Sequence, residues 1–173
     1  MGGGALEADA AAGRDRDTAG RARNARPRDA LGRPLARSAR GEPPAGDAAL
    51  PPDEALAEAQ RLLDAGRPFH AHEVLEAAWK AAPDGERDLW QGLAQLAVGM
   101  THVLRGNPRG AAALLRRGAS RLDGYPAAGP HGIDVAGLRT ASADLASRIE
   151  STGLIDLEEP VPRLRLTRSS QDS

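Results

Sequence analysis

Only four aromatic side chains occur in this chain, Phe69, Trp79, Trp90 and Tyr125, so its core must be built mainly from small aliphatic residues. Small side chains fill little space between elements, which calls for helices packed at close range. Hydrophobic residues make up 40% of the 173, but many of these are alanines. β-Branched and aromatic residues, the usual strand formers, are scarce. The expectation is an all-α fold: a compact bundle of about five helices around an antiparallel central hairpin, preceded by a disordered N-terminal arm.

The length suits one domain with room for an extension. Residues 1–51 hold Gly, Pro, Arg and Asp with almost no large apolar side chain, so burial cannot offset their ordering entropy. Within them, 13–40 carry nine Arg against three Asp, a balance of +6, whereas 42–173 carry 14 basic and 19 acidic side chains, a balance of −5. The near-neutral total of −1 therefore hides a basic arm on an acidic body. The expected division is arm 1–51, helical bundle 52–153 and flexible tail 154–173.

Local punctuation sets the helices. The first runs from about Asp53 to Ala65 and stops at Gly66; the second starts near Pro68 and ends before Pro83. The third spans about Glu86 to Arg105, closed by Gly106. Asn107-Pro108 supplies a cap and a first-turn residue for the fourth, which continues to about Leu122. Gly124–Gly132 is rich in Gly and Pro and reads as a loop, and Asp134 caps a fifth helix ending at Gly153. No second copy of the hairpin appears at a fixed period, so a repeat array is not expected.

Composition also excludes several classes. With no cysteine there are neither disulfides nor thiolate metal sites. No apolar run approaches the roughly 20 residues of a membrane span, and the start of the chain fits neither a secretory signal nor a myristoylation site. A cytoplasmic location without membrane contact is expected. Basic charge is almost all Arg, with Lys80 the one lysine, a bias that points to a bacterial genome of high GC content. Walker loops, dinucleotide fingerprints and nucleophile elbows are absent from the sequence.

One polar pattern stands out. On the third helix Leu89, Leu93, Leu96, Ala97, Met100, Val103 and Leu104 form the core stripe, and Gly92, Gln95, Gly99 and His102 form a second stripe beside it. Phe69, His72, Glu76 and Trp79 repeat the three-four-three spacing on the second helix. Counting outward from Pro83-Asp84-Gly85 sets Glu76 level with Gly92 and places Gln95 between His72 and Glu76. The two glycines would then let these helices approach, leaving a polar seam of His72, Glu73, Glu76, Trp79, Gln91, Gln95 and His102, with Asn107 as the cap of the following helix. His102 lies about 9 Å beyond the level of His72 along the axis. Imidazole plus carboxylate suits a divalent metal such as zinc, iron or manganese, with His72, Glu76 and His102 as candidate ligands. The alternative use of the seam is a hydrogen-bond network that fixes how the hairpin packs. His70 and Glu73 read as solvated.

The stretch Phe69-His70-Ala71-His72-Glu73-Val74-Leu75-Glu76-Ala77-Ala78-Trp79, with Gln91-Gly92-Leu93-Ala94-Gln95-Leu96-Ala97 and Arg105-Gly106-Asn107-Pro108-Arg109-Gly110-Ala111, resembles the family of domain of unknown function 309. The arm from Gly20 to Asp29 resembles the lead-in of its actinobacterial members. The resemblance implies a compact all-α fold, occurrence in the bacterial cytosol and no assigned activity, so it carries no catalytic residue to this chain.

Three functions follow as expectations. The first is a non-enzymatic structural or protein-interaction module, binding a protein partner or a second copy. The second is a metal or small-ligand site, hydrolytic in one version, at the His72/Glu76/Gln95 seam. The third is salt-dependent nucleic-acid binding by the Arg-rich arm, which carries no aromatic side chain to stack on bases.

Overall fold

Glycines, prolines and polar caps end the helices where the sequence places them. The computed structural model describes residues 28–29, 31–35, 48–154 and 164, and among these the expected all-α bundle forms. Its helices are α1 (Pro52–Asp64), α2 (Pro68–Ala81), α3 (Arg87–Leu104), α4 (Pro108–Arg121) and α5 (Val135–Thr152). Single 3₁₀ turns cover Asp84–Glu86 and Pro130–Gly132. Pro sits in the first turn of α1, α2 and α4, where its missing N–H costs nothing and its fixed φ suits the helix. Gly66 and Gly106 adopt φ of +70° and +72° just beyond α1 and α3, the left-handed conformation that closes a helix and that glycine tolerates best. The side chains of Asn107 and Asp134 accept hydrogen bonds from Gly110 and Gly137 and so cap α4 and α5.

Packing follows chain order: α1 on α2, α2 on α3, α3 on α4, and α4 on α5. The core holds Leu56, Leu62 and Leu63 of α1, Leu75 of α2, Leu89, Trp90, Leu93 and Leu96 of α3, Leu115 of α4 and Leu138 and Ile149 of α5. Alanines fill the closer contacts, among them Ala59, Ala71, Ala97, Ala111 and Ala146. Leu104, expected in the core stripe, is 47% exposed because α3 ends there and offers its last turn to solvent.

The glycines of α3 do not face α2 as the spacing suggests. A Cβ on Gly92 would lie 3.1 Å from the carbonyl oxygen of Gly118, and one on Gly99 would lie 2.9 Å from Leu115. Both partners belong to α4, so the close approach joins α3 to α4. Gly118 answers from the other side, its own Cβ position lying 2.6 Å from Leu96 and 3.0 Å from the Gly92 carbonyl. Two small residues meeting across a very short turn let these backbones touch.

Most of the arm 1–51 and of the tail 154–173 lies outside the described residues. Within the arm, residues 28–29 and 31–35 belong to a tight turn against the body. From the tail, Leu164 is buried; its N–H donates to Gln60 Oε1 (2.8 Å) and its carbonyl accepts from the Asp134 amide (3.1 Å), tying α1 to the start of α5.

Candidate functional site

Helical periodicity gathers Phe69, His72 and Glu76 into one half-buried stripe of α2 that flanks its buried Leu75. The same count puts Gln91, Gln95 and His102 on the far side of α3 from Leu89, Leu93 and Ala97. The polar residues therefore run along half-buried outer stripes of α2 and α3, beside the core faces of these helices.

Along this face burial is partial. The His72 side chain is 23% exposed and that of Glu76 34%. His72 Nε2 faces Glu76 Oε2 at 3.7 Å, too long for a hydrogen bond, while Lys80 Nζ reaches Glu76 Oε1 at 2.8 Å. Burial holds the His72 imidazole below its ordinary pKa of 6.5, the Glu76 carboxylate opposing that effect and Lys80 adding to it. Among the described residues His72 Nδ1 and Gln95 Oε1 are both buried and meet no hydrogen-bond partner. Glu73, Gln91 and Trp79 are half-buried on the same helices. His70 is only 5% exposed, its ring edge-on to Phe69 at 5.8 Å, where a solvated residue had been expected.

His102 takes a different part. The Asn107 amide uses its Oδ1 to accept from Gly110 N (3.0 Å), capping α4, and its Nδ2 to donate to His102 Nδ1 (2.8 Å). A Cβ at Gly110 would lie 2.5 Å from that same imidazole nitrogen, which explains glycine there. His102 thus clamps the α3–α4 turn. Among the described residues no three His, Asp or Glu side chains gather closely enough to hold a metal ion. The candidate set His72, Glu76 and His102 is not assembled: the α4 cap holds the third member, about six residues further along α3 than His72 reaches.

Over one end of this outer face lies the turn from the arm. Asp29 organises it, its Oδ1 accepting from the amides of Leu31 (3.0 Å) and Arg33 (2.8 Å) and its Oδ2 from Arg33 Nε (2.6 Å). The Gly32 amide donates to the Asp29 carbonyl (2.8 Å), and Arg28 donates to the Gly32 carbonyl (2.6 Å). Gly32 has φ +72° and is pressed on Phe69 so closely that a Cβ would fall 2.1 Å from the ring. The Arg28 guanidinium stands 5.7 Å from the centre of that ring, a cation–π distance. From the end of α3, Arg105 donates through Nε (2.8 Å) and through a terminal nitrogen to the Leu31 carbonyl. Antiparallel pairing brings Phe69, at the start of α2, beside Arg105, at the end of α3, and the turn spans both. Arg28 and Arg33 are occupied in this way; the other arginines of the arm lie outside the described residues.

A second cluster was not anticipated from the sequence. Glu86 Oε2 accepts from Trp90 Nε1 (3.1 Å) and His131 Nε2 (2.9 Å), and Tyr125 Oη donates to the Gly85 carbonyl (2.9 Å) while accepting from the Leu89 amide (3.1 Å). This pins the α4–α5 loop on the start of α3. The hydrogen bond from His131 holds the Glu86 carboxyl below the usual glutamate range, and the bond from Trp90 assists. His131 sits at φ +57°, a rare conformation for a residue with a Cβ, held by these contacts.

The segment from α1 to the middle of α4 thus carries both the outer face and the His102 clamp. Residues 56–114 match the family model of DUF309, a domain of unknown function. The match supports that family for this segment, and no curated protein and no solved structure matches the chain. The matched segment contains Phe69, His72, Glu76, Gln95, His102, Arg105, Asn107 and Gly110. The docked turn and His131, the partner of Glu86 in the α4–α5 loop, lie outside it. No helix among the described residues is long and apolar enough to cross a membrane.

Proposed function

We propose that the chain is a cytoplasmic, non-enzymatic interaction module of an actinobacterial type, and that it holds polypeptide on the outer face of α2 and α3. The observation that carries this reading is the turn of Arg28, Asp29 and Leu31–Arg33, seated on Phe69 and Arg105. A face that receives a folded turn through a flat aromatic ring and a two-pronged arginine offers the contacts that peptide-binding surfaces use: an aromatic anchor, a charged donor for a carbonyl, and steric selection for glycine. The turn is closed by its own hydrogen bonds, so little ordering entropy is lost when it docks. The Arg-rich, lysine-poor composition supports a bacterial origin.

The test uses a fluorescent peptide of residues 26–36 and the full chain carrying Gly32→Val, whose own turn is blocked. Saturable binding, lost when Phe69→Ala is added, is the expected result. An absence of binding to folded Gly32→Val protein contradicts the reading.

A second reading is favoured by one observation, the buried, unpartnered His72 Nδ1 and Gln95 Oε1. In the imidazole tautomer protonated at Nε2 both atoms are acceptors, suited to a small ligand bearing N–H donors or to a metal ion. Stoichiometric metal in untagged protein, lost in His72→Ala, would decide for this second reading.

A further inference from the structure

We propose that the docked turn is an exchangeable element, so that residues 28–35 of one chain seat on the α2–α3 face of a second copy. This rests on the peptide-holding role of that face and names its partner.

Three observations carry it. The turn keeps its shape by itself: Asp29 ties the amides of Leu31 and Arg33, and the chain closes on itself between Asp29 and Arg33, all without help from the body. Among the described residues it meets the body through Gly32 and Arg28 on Phe69 and the Leu31 carbonyl on Arg105, contacts that a second copy reproduces identically. Twelve residues, 36–47, separate the turn from the segment leading into α1. A fully extended chain of twelve residues spans at most roughly 40 Å, at about 3.4 Å per residue. Exchange of an identical element between protomers is a low-cost route to a dimer.

Charge adds direction. The arm segment 13–40 carries +6 and residues 42–173 carry −5, so the arm of one chain is drawn to the body of another. Docking within a chain and docking between chains use the same surface, and protein concentration sets the balance between them. Each copy then contributes Leu31 and Gly32 to a site otherwise completed by Phe69 and Arg105 of the other.

Complementation between two full-length variants tests this. Gly32→Val has a spoiled turn and an intact face; Phe69→Ala has an intact turn and a spoiled face. Each alone sediments as a monomer, and an equimolar mixture yields a species of twice the monomer mass, since one competent turn meets one competent face. Arg105→Ala, changed at an exposed residue just beyond α3, replaces Phe69→Ala should the latter fail to fold. A mixture that stays monomeric while Gly32→Val still binds the 26–36 peptide overturns exchange and leaves the peptide-holding face intact. A monomeric mixture without peptide binding overturns both.

Discussion

The carboxylate of Glu86 and the imidazole of His131 meet at 2.9 Å across 45 residues of sequence, and the same carboxylate oxygen takes the indole N–H of the buried Trp90. One acceptor therefore fixes the start of α3, the largest fully buried side chain and the α4–α5 loop together.

Replacing Glu86 with Ala leaves the Trp90 and His131 donors without their acceptor. A loss of about 1–3 kcal/mol in unfolding free energy is expected. Denaturant titration followed by tryptophan fluorescence measures it, and an unchanged midpoint would show the latch to be idle.

The same latch has a pH signature. Because the Glu86 pKa is lowered in the folded state, its contribution is fully present above the ordinary value of 4.5 and is lost as pH falls through the lowered folded value. The stability gap between wild type and Glu86→Gln should be constant near neutrality and shrink below pH 4.5. Thermal melts from pH 7 to pH 3 test this, and a gap that widens on acidification would contradict it.

Gly118→Val forces a side chain between Leu96 and the Gly92 carbonyl. Overpacking of this kind costs about 1–3 kcal/mol. Nothing lies within 4 Å of a Cβ at Gly124, so Gly124→Ala serves as the control and should stay within about 0.5 kcal/mol of wild type. Equal losses in the two variants would mean that α3 and α4 are not in backbone contact.

Helix boundaries were legible because the signals are local. Gly66, Pro83, Gly106 and Gly153 end α1, α2, α3 and α5 within two residues of themselves, and Asn107-Pro108 and Asp134 start α4 and α5. Which neighbour a stripe faces is not local. Gly92 and Gly99 recur at helical spacing whichever helix they approach, and only the small residue Gly118 on α4, far along the chain, decides it. The Glu86–His131 pair was hidden for the same reason, since its members lie in a turn and a loop that carry no shared period. In the arm, low hydrophobicity argued against burial, yet Asp29 and Gly32 build a turn from polar contacts and a left-handed glycine. The Asp-x-x-Gly spacing was the available signal, masked by the surrounding arginines.

A closed buried network around Glu76 would make this residue costly to remove. Its side chain is 34% exposed and paired with Lys80 on the same helix, an arrangement worth well under 1 kcal/mol. Glu76→Ala should therefore lower stability by less than about 1 kcal/mol. A calorimetric loss of 2 kcal/mol or more would show that Glu76 has a buried partner and restore the network.

The seating of Gly32 on Phe69 is tested most directly by proton NMR of the full chain, where Phe69 is the sole phenylalanine and its ring signals are unambiguous. Contact at this range predicts nuclear Overhauser effects between the Gly32 α-protons and the Phe69 ring, with those α-protons displaced from random-coil positions by the ring current. Gly32 α-protons at random-coil positions, with no Overhauser effect to the ring in the folded protein, would contradict the account.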